Sequence, residues 1–536
     1  MVAEKTKQVD FLVLGSGIAG LRAAITLANA GKVLILNKGE FAESTTRQAY
    51  SGVAAAIGED DEVALHHQDT LRAGDGLCRE EAVRVLVDEG PQEIRQLMDW
   101  GGHVEGKKPC LVLDRESPKR VSPVLRAQGE PIGVEILRIL AAKARSTRAI
   151  ETRSNVLAVE LLMEDGRCTG LMYLDEKTGA FKRVSANAVL LATGGMGQIY
   201  SETTNPAPAS GDGVSLAFRA GALLSDLEFI QFHPTVLYAR GAPRLALASS
   251  LREHGAKLRN LELDRFMSHY HECGELAPSD VISRSVIMEM QRLRSDFVYL
   301  DLTGLRPELI KSRFPRLYAV CLEHNIDITT DLLLARPAAH YSMGGVATSL
   351  YGATTLAGLY AAGEASTSGV HGANRLANNS LLEGLVFGHR AATGMIEQTG
   401  PAKFPFAPPR SASSSRSGPA DSPHLSTASG TGEQLKKTIK EVQQLMWEKV
   451  GVIRSGKDLS TALRKLESIS LPRPSHASRQ YYEARSILEA ARLVTRCAAL
   501  REESRGAHYR TDFPLKNEAV PAQHSYISRE SSGYLK

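Results

Sequence analysis

The chain has 536 residues, too many for a single hydrophobic core, so we expect roughly two to four domains. Its composition, with 43% hydrophobic residues, 23% charged residues and 46 glycines, is typical of an α/β protein with many tight turns. The 64 basic and 60 acidic residues give a net charge of only +4, and no basic run carries interleaved aromatic residues, which disfavours nucleic-acid binding.

The cysteines are scattered and include no Cys-x-x-Cys pair, which argues against a zinc site, an iron–sulfur cluster or a disulfide framework; they are Cys78, Cys110, Cys168, Cys273, Cys321 and Cys497. Such isolated thiols suit a reducing cytosol. Residues 1–10 are polar, and no run approaches the roughly 18 apolar residues of a membrane span. We therefore expect a soluble, cytoplasmic protein.

The first βα turn carries a dinucleotide-binding fingerprint. Residues 11–14 form an apolar strand, the glycines Gly15, Gly17 and Gly20 follow, and residues 21–30 have a helical, alanine-rich pattern before the next strand at 33–36. In this context the glycines permit a tight turn and let a pyrophosphate approach the helix N-terminus. The alternative is a purely structural βαβ turn.

The second strand does not end in the acid that usually holds an adenosine ribose. Asn37 and Lys38 occupy that position, and Glu40 lies beyond the strand. Asn37 can hydrogen-bond a ribose and Lys38 can meet a phosphate. The missing acid weakens the case for NAD and leaves FAD open.

Polar and glycine-rich segments then suggest further cofactor contacts. Residues 44–53 form a loop rich in hydroxyl and amide groups, suited to wrapping a cofactor. Residues 156–162 and 170–173 read as a β-meander. The apolar strand 189–192 runs into Thr-Gly-Gly beside the first turn, and Asp212 opens a helix, where it is either a cofactor contact or only a helix cap.

Polar side chains become conspicuous between residues 228 and 340. Gln231 and His233 alternate with apolar residues and so share one face of an extended segment. Arg284 follows a helix start by about one turn, and His340 leads into a glycine turn. Each histidine alone is more often structural, but with Arg375 these residues would make a pocket for a dicarboxylate.

The stretch 371–384 places Arg375 just before a helix start, because good N-cap residues and an apolar run follow it: Asn378, Asn379 and Ser380. A helix N-terminus favours an anion or an electron-rich carbonyl, and an arginine beside it can fork onto a carboxylate. The alternative is a capped surface helix with a solvated arginine. Beyond it, residues 404–432 read as a flexible linker and 433–505 as helical.

Together these motifs resemble the fumarate reductase and succinate dehydrogenase flavoprotein superfamily and, within it, the family of L-aspartate oxidases most closely. They lie at residues 15–20, 231–235, 337–345, 359–364, 371–383 and 503–512. The segment 445–451 looks more like the oxidases than the respiratory subunits. The resemblance implies a Rossmann-like FAD-binding domain (1–226 and 342–403), an inserted α+β capping domain (227–341), the linker and a C-terminal helical domain (433–536).

The resemblance also implies the cofactor contacts. They would be Ser16, Gly17, Ile18, Ala19, Lys38, Thr45, Thr46, Arg47, Gln48, Ala49, Tyr50, Ser51, Gly52, Val156, Asp212, Glu364, Ser380 and Leu381. Thr45 stands where respiratory members carry a flavin-linking histidine, so noncovalent FAD is expected.

On the substrate side, the resemblance makes Arg284 the proton shuttle and places His233, His340 and Arg375 around the two substrate carboxylates, with Gln231 nearby. Glu116 would face the substrate ammonium group. The implied reaction is oxidation of L-aspartate to iminoaspartate for NAD biosynthesis, with oxygen or fumarate as electron acceptor. A transient contact with quinolinate synthase, the next enzyme of that pathway, is also implied.

Three segments depart from the family pattern. A substrate-binding threonine is replaced at Ala248, with Ser249 or Ser250 as possible substitutes, and the His-Ser pair expected after Glu116 is absent from residues 117–120. The Ala-Gln-Gly-Gly segment is Ala-Tyr-Ser-Gly at 49–52. Two alternatives to the oxidase therefore stay open: a soluble fumarate reductase or respiratory flavoprotein subunit, recognisable by an iron–sulfur partner, and an FAD-binding homologue without turnover.

Overall fold

The computed structural model describes residues 6–49, 52–54, 56, 63–102, 111–114, 124–127, 131–403, 432–472, 474 and 477–535. Three predicted site residues, Tyr50, Ser51 and Glu116, lie outside this set. So does the predicted linker up to residue 431.

The strands of the described residues are β1 (Lys7–Leu14), β2 (Val33–Leu36), β3 (Val53–Ala54), β4 (Leu111–Asp114), β5 (Val124–Ala127), β6 (Ile150–Arg153), β7 (Val156–Glu164), β8 (Arg167–Asp175), β9 (Ala180–Leu191), β10 (Leu224–Ser225), β11 (Ile230–Leu237), β12 (Lys257–Arg259), β13 (Val298–Asp301), β14 (Leu333–Ser342), β15 (Gly345–Ala347), β16 (Leu359–Ala361), β17 (Ser366–Thr367), β18 (His524–Ile527) and β19 (Ser532–Leu535).

The α-helices are α1 (Ile18–Leu27), α2 (Val63–Ala73), α3 (Glu80–Leu97), α4 (Ile132–Ser146), α5 (Asp212–Ala220), α6 (Ser249–Glu253), α7 (Met267–Tyr270), α8 (Ser279–Leu293), α9 (Pro307–Arg313), α10 (Pro315–Glu323), α11 (Asn379–Ile396), α12 (Gly432–Lys449), α13 (Gly456–Ser468) and α14 (Arg479–Leu500). Short 3₁₀ turns occur at Thr45–Gln48, Gly197–Ile199, Gly274–Leu276 and Gly363–Ala365, and a π-helical turn at Met98–Gly102.

The main sheet is the α/β core predicted from the fingerprint. Its parallel part runs β6-β2-β1-β9, and β8 and β7 continue from β9 as an antiparallel meander, as predicted. β16 pairs in parallel with the last residues of β9. Since β1 and β9 end side by side, the turn after β1 and the Thr-Gly-Gly segment after β9 meet at one edge of the sheet.

Apolar side chains cover both faces of this sheet. One cluster joins it to α1, α3, α4 and α11, and a second joins its other face to α5 and to the C-terminal helices α12, α13 and α14. The C-terminal segment is therefore packed against the nucleotide-binding sheet rather than appended to it. Among the described residues, no helix combines the length and apolar character needed to cross a membrane.

Residues 227–341, the predicted capping domain and called the capping region below, contain an antiparallel sheet ordered β11-β14-β13-β12. This segment has an apolar core of its own, to which helices α6, α7, α8, α9 and α10 contribute. Bulges interrupt the pairing of β11 with β14 next to Gln231 and His233. Such irregularities change the direction in which neighbouring side chains point.

The C-terminal segment is less purely helical than predicted. After α14, the chain forms the hairpin β18–β19, which extends the small sheet β17-β15-β10. These strands are short and largely polar, and β18 pairs with β10 across about 300 residues, so local periodicity gave no signal for them.

Candidate functional site

One cavity of about 1790 Å³ runs between the main sheet and the capping region. Single small-ligand pockets are roughly 300–1,000 Å³, so this space accommodates a dinucleotide and a second small molecule. Every predicted site residue that the structure describes lines it: Ser16, Gly17, Ile18, Ala19, Lys38, Thr45, Thr46, Arg47, Gln48, Ala49, Gly52, Val156, Asp212, Gln231, His233, Arg284, His340, Glu364, Arg375, Ser380 and Leu381.

The glycine turn after β1 has the geometry that a dinucleotide requires. Gly15 has φ +104°, and a Cβ there would lie 2.2 Å from the carbonyl oxygen of Ala192. A Cβ at Gly20 would lie 2.1 Å from the carbonyl oxygen of Gly15, which keeps α1 tight against the strand. Two glycine positions of the fingerprint are thus fixed by close backbone approach, as the motif predicts.

Two buried hydroxyl groups beside this turn also fit a bound polar group. Ser44 Oγ and Thr193 Oγ1 belong to cavity-lining residues, and within the described part of the chain neither has a hydrogen-bond partner. Buried polar atoms are normally paired, so these suit a ligand that supplies the missing bonds. Among the same residues, no cluster of histidine, cysteine, aspartate or glutamate could hold a metal ion.

The side chains of Asn37 and Lys38, which follow β2, both bond to other protein groups. The Asn37 side-chain amide donates to the carbonyl oxygens of Gly39, at 2.9 Å, and Glu40. Lys38 Nζ lies 2.6 Å from Asp212 Oδ2. Asp212 is the first residue of α5 and Gly211 precedes it as the N-cap, so Asp212 does not occupy the cap position itself.

Glu364 lines the part of the cavity beside the main sheet, which is predicted to hold the cofactor and is called the cofactor half below. Its Oε1 accepts the backbone N–H of Ser342 at 3.0 Å. Burial raises the pKa of this carboxyl to about 7. Near neutral pH it is therefore present in both forms and can accept or donate a hydrogen bond.

The two predicted site histidines, His233 and His340, face each other in the other part of the cavity, which is predicted to hold the substrate and is called the substrate half below. The ring centroids of His233 and His340 are 5.3 Å apart. His233 Nδ1 donates to the carbonyl oxygen of Thr235 at 2.8 Å, and His340 Nδ1 lies 2.8 Å from Thr204 Oγ1. Burial, then the Arg252 cation, lowers the pKa of His233 to about 3. Burial, with Arg375, likewise lowers the pKa of His340, so both rings are neutral.

Arg375 is held in one orientation. Its Nε donates to Gln231 Oε1 at 2.9 Å and its Nη1 to Ser380 Oγ at 3.2 Å, while the guanidinium lies 4.8 Å from the centroid of the Tyr341 ring. These two bonds use only part of the five-donor guanidinium fork, which leaves donors for a carboxylate. The predicted helix start is confirmed, since α11 begins at Asn379, although its N-cap makes no side-chain capping bond.

A buried carboxylate network supports Arg375 from below. Tyr341 donates its hydroxyl to Glu383 Oε2 at 2.7 Å, His371 Nε2 lies 2.9 Å from the same oxygen, and Ser368 donates to the other. Burial alone would raise the pKa of Glu383, but His371 and the two hydroxyls outweigh it and hold the pKa below its usual value. The ring under Arg375 is therefore fixed through a charged anchor.

A polar chain connects Arg375 with Arg284. Gln231 Nε2 donates to Asn374 Oδ1 at 3.1 Å, Asn374 Nδ2 donates to Asp280 Oδ1 at 3.2 Å, and Asp280 lies 3.2 Å from Arg284. Arg284 also faces the Tyr509 ring at 5.0 Å. This chain crosses from the loop before α11 to α8 of the capping region and so ties the two sides of the cavity together.

Several of these residues were not singled out from the sequence as site residues. Tyr341 and Asn374 lie within recognised motifs and Thr204 lies outside them, but for all three only the fold shows what their side chains contact. Arg252 is a further cation in the cavity wall, and its Nη1 donates to Thr235 Oγ1 at 2.9 Å. Ser249 and Ser250 are the candidates to replace the family threonine that is Ala248 here, and of the two Ser249 lines the cavity. Ser250 is 2% exposed and is not part of the lining.

Two family models match the chain. The model described as "FAD binding domain" matches residues 10–381, and the one described as "Fumarate reductase flavoprotein C-term" matches residues 439–535. The first alone spans more than half of the chain. FAD is therefore the cofactor of this chain.

Curated relatives named L-aspartate oxidase match the chain over nearly their full length. The chain is 39% identical to the L-aspartate oxidase of Streptomyces coelicolor, covering 97% of this chain and 91% of that protein, and 37% identical to that of Pseudomonas aeruginosa, covering 95% and 96%. A solved structure of the E. coli quinol fumarate reductase FrdA chain superposes with a TM-score of 0.87 at 28% identity, covering 99% of this chain and 97% of that one. The chain therefore belongs to the L-aspartate oxidase family, within the fumarate reductase and succinate dehydrogenase flavoprotein superfamily.

Proposed function

We propose that this protein oxidises L-aspartate to iminoaspartate with FAD, the first step of NAD biosynthesis, and passes the electrons to oxygen or fumarate. The observation that carries the proposal is that a dinucleotide turn and a cluster of cationic and imidazole groups line the same cavity. Its support from relatives is the shared name L-aspartate oxidase. When bound, FAD supplies a hydride acceptor, the flavin N5 atom.

The cofactor half would hold FAD through the residues that line it. The pyrophosphate would lie at the start of α1, and the N-terminus of α11, at Ser380 and Leu381, would face the flavin pyrimidine carbonyl. The positive end of a helix favours electron density there, as in a reduced ring. Thr45 offers no imidazole for a covalent link, so FAD would be bound noncovalently.

The substrate half would hold the two carboxylates. Arg375 would bind one through its remaining donors, while His233 and His340 would face the other. Both rings are neutral in the structure, and a bound anion raises the pKa of each, so a ring that takes up a proton can donate to the carboxylate. Fixing both carboxylates orients the α-carbon, which is the main requirement for hydride transfer.

Arg284 would move the proton that leaves the substrate amine. A free guanidinium hardly deprotonates in water, so the role needs a shielded site with a fixed acceptor nearby. Asp280 at 3.2 Å provides that neighbour, and burial raises the pKa of its carboxyl despite the opposing effect of Arg284. Glu116, which lies outside the described residues, would face the substrate ammonium and favour aspartate over succinate.

The setting of the reaction is also proposed. The cysteines of the described residues are free thiols, which supports a reducing compartment, and we assign the protein to the cytoplasm. Its ligands would be L-aspartate, fumarate and oxygen. Quinolinate synthase, which would consume the product, is a candidate for transient contact.

Steady-state turnover tests the proposal. With L-aspartate the purified protein should consume oxygen, and under anaerobic conditions fumarate should sustain the same oxidation. L-asparagine, which keeps the ammonium but lacks the second carboxylate, is the matched control and should react poorly. If the chain instead reduces fumarate only with an iron–sulfur partner and leaves aspartate unchanged, the protein is a respiratory-type subunit, the alternative suggested by its fumarate reductase fold.

A further inference from the structure

The end of β2 lacks the acid that usually receives the adenosine ribose, and the structure shows what stands there instead. Lys38 Nζ lies 2.5 Å from Ser210 Oγ, 2.6 Å from Asp212 Oδ2 and 3.1 Å from Glu483 Oε1. An ammonium group has three N–H donors, and these partners match all of them. Lys38 in this arrangement is thus committed to protein groups and not free for a phosphate.

Glu483 comes from α14, in the C-terminal segment. The neighbouring Arg479 reinforces it: Nη1 donates to the backbone carbonyl oxygen of Lys38 at 3.0 Å, and Nε donates to Glu483 Oε1 at 3.1 Å. The Arg479 Nη1 also lies 3.2 Å from Glu176 Oε1, at the end of the meander. Both the side chain and the backbone of Lys38 are therefore held from α14.

Packing fixes α14 in this place. Arg219 of α5 donates to Glu489 at 2.6 Å, and the ring of Tyr482 meets Phe181 edge-on, with centroids 6.1 Å apart. The side chains of Lys38 and Glu483 are 11% and 21% exposed. An ion pair this shielded is stronger than a surface pair, because water screens it less.

The charges around Lys38, at the end of β2, suit a ribose better than a phosphate. One ammonium group lies between two carboxylates, so the cluster of Lys38, Asp212 and Glu483 is net negative. Asp212 lines the cavity, and carboxylate oxygens accept hydrogen bonds from hydroxyl groups. In a dinucleotide fold the end of the second strand lies at the adenosine ribose.

We propose that α14 is part of the FAD site: Glu483 and Arg479 position Lys38, and through it Asp212, at the adenosine ribose. Asp212 of α5 stands in for the acid that the second strand lacks, and α14 supplies the carboxylate that holds Lys38 beside it. The inference rests on FAD as cofactor and is independent of the substrate, so it stands or falls separately from aspartate oxidation.

Release of FAD from the holoenzyme tests this. After dilution, the fluorescence of freed FAD should rise roughly tenfold faster for Glu483→Gln, because a hydrogen bond to a charged group is lost. Glu467→Gln on α13, which removes an exposed ion pair with Arg496, is the matched control and should release FAD at the parent rate. Arg479→Gln should behave like Glu483→Gln and serves in its place if that variant folds poorly.

A double-mutant comparison separates positioning from general loosening. Lys38→Gln should also speed release, and adding Glu483→Gln to it should have little further effect, because Glu483 acts through Lys38. The proposal is overturned if Glu483→Gln and Arg479→Gln release FAD at the parent rate. It is equally overturned if the effects of Lys38→Gln and Glu483→Gln simply multiply.

Discussion

Replacing Arg375 with lysine keeps the positive charge but removes the planar fork. In the parent, Arg375 uses one donor on Gln231 and one on Ser380, stacks 4.8 Å above the Tyr341 ring, and keeps further donors for a substrate carboxylate. Lysine reaches less far, has no plane to stack, and cannot bind a carboxylate with two parallel bonds. Arg375→Lys therefore isolates the geometry of the anchor from its charge.

The expected loss follows from the contacts removed. One charge-assisted hydrogen bond to the substrate contributes about 1.5–3 kcal/mol, and loss of the stacked position over Tyr341 adds about 0.5–1 kcal/mol. Together these predict a fall in kcat/KM for L-aspartate of about 30- to 700-fold, at about 1.4 kcal/mol for each factor of ten.

Oxygen uptake over a range of L-aspartate concentrations measures this change. Arg390→Lys is a matched control, because Arg390, on α11, also stacks on a tyrosine, 4.2 Å from the Tyr351 ring, but does not line the cavity. The control should keep the parent kcat/KM. A value for Arg375→Lys within threefold of the parent would refute the role of Arg375 as a carboxylate anchor.

Three further predictions concern the same cavity. In the unfolded chain His233 and His340 bind protons below about pH 6.5, whereas the fold keeps both rings neutral and lowers the pKa of His233 to about 3. The free energy of unfolding should therefore fall as pH drops from 7 to 5, by up to about 1.4 kcal/mol per pH unit for each ring. Melting temperatures without substrate should show this slope, with a shallower one for His233→Gln; identical slopes would contradict it. Acid precipitation should leave the flavin in the supernatant, since Thr45 cannot form the histidyl link; a yellow pellet would show covalent attachment. Tyr341→Phe removes the bond to buried Glu383, so it should destabilise the protein by about 1.5–3 kcal/mol while changing KM for aspartate little, because the ring under Arg375 remains. A KM increase as large as that of Tyr341→Leu would contradict this.

The sequence predicted the parts of the site that local patterns control. The glycine turn, the shared face of Gln231 and His233 and the helix start after Arg375 all follow from spacing and residue type, because strands alternate with a period of two and helices begin at recognisable positions. The structure brings all of them into one cavity.

Contacts between distant segments were not predictable in this way. The pairs Lys38–Glu483 and Tyr341–Glu383 join segments about 440 and 40 residues apart, and no local pattern links a lysine after a strand to a glutamate on a helix so far away. The sequence predicts that Lys38 can meet a phosphate and leaves open whether Asp212 is a cofactor contact or only a helix cap, because the contacts of neither residue are visible in it. The ion pair between them depends on tertiary packing.

The most direct test of the account is a single turnover without oxygen. Mixed anaerobically with L-aspartate, the holoenzyme should lose its flavin absorbance in one phase, and succinate at the same concentration should leave the absorbance unchanged. Bleaching by succinate and not by aspartate would contradict the assignment in favour of a succinate or fumarate enzyme. No bleaching by either would contradict it in favour of an FAD-binding homologue without turnover.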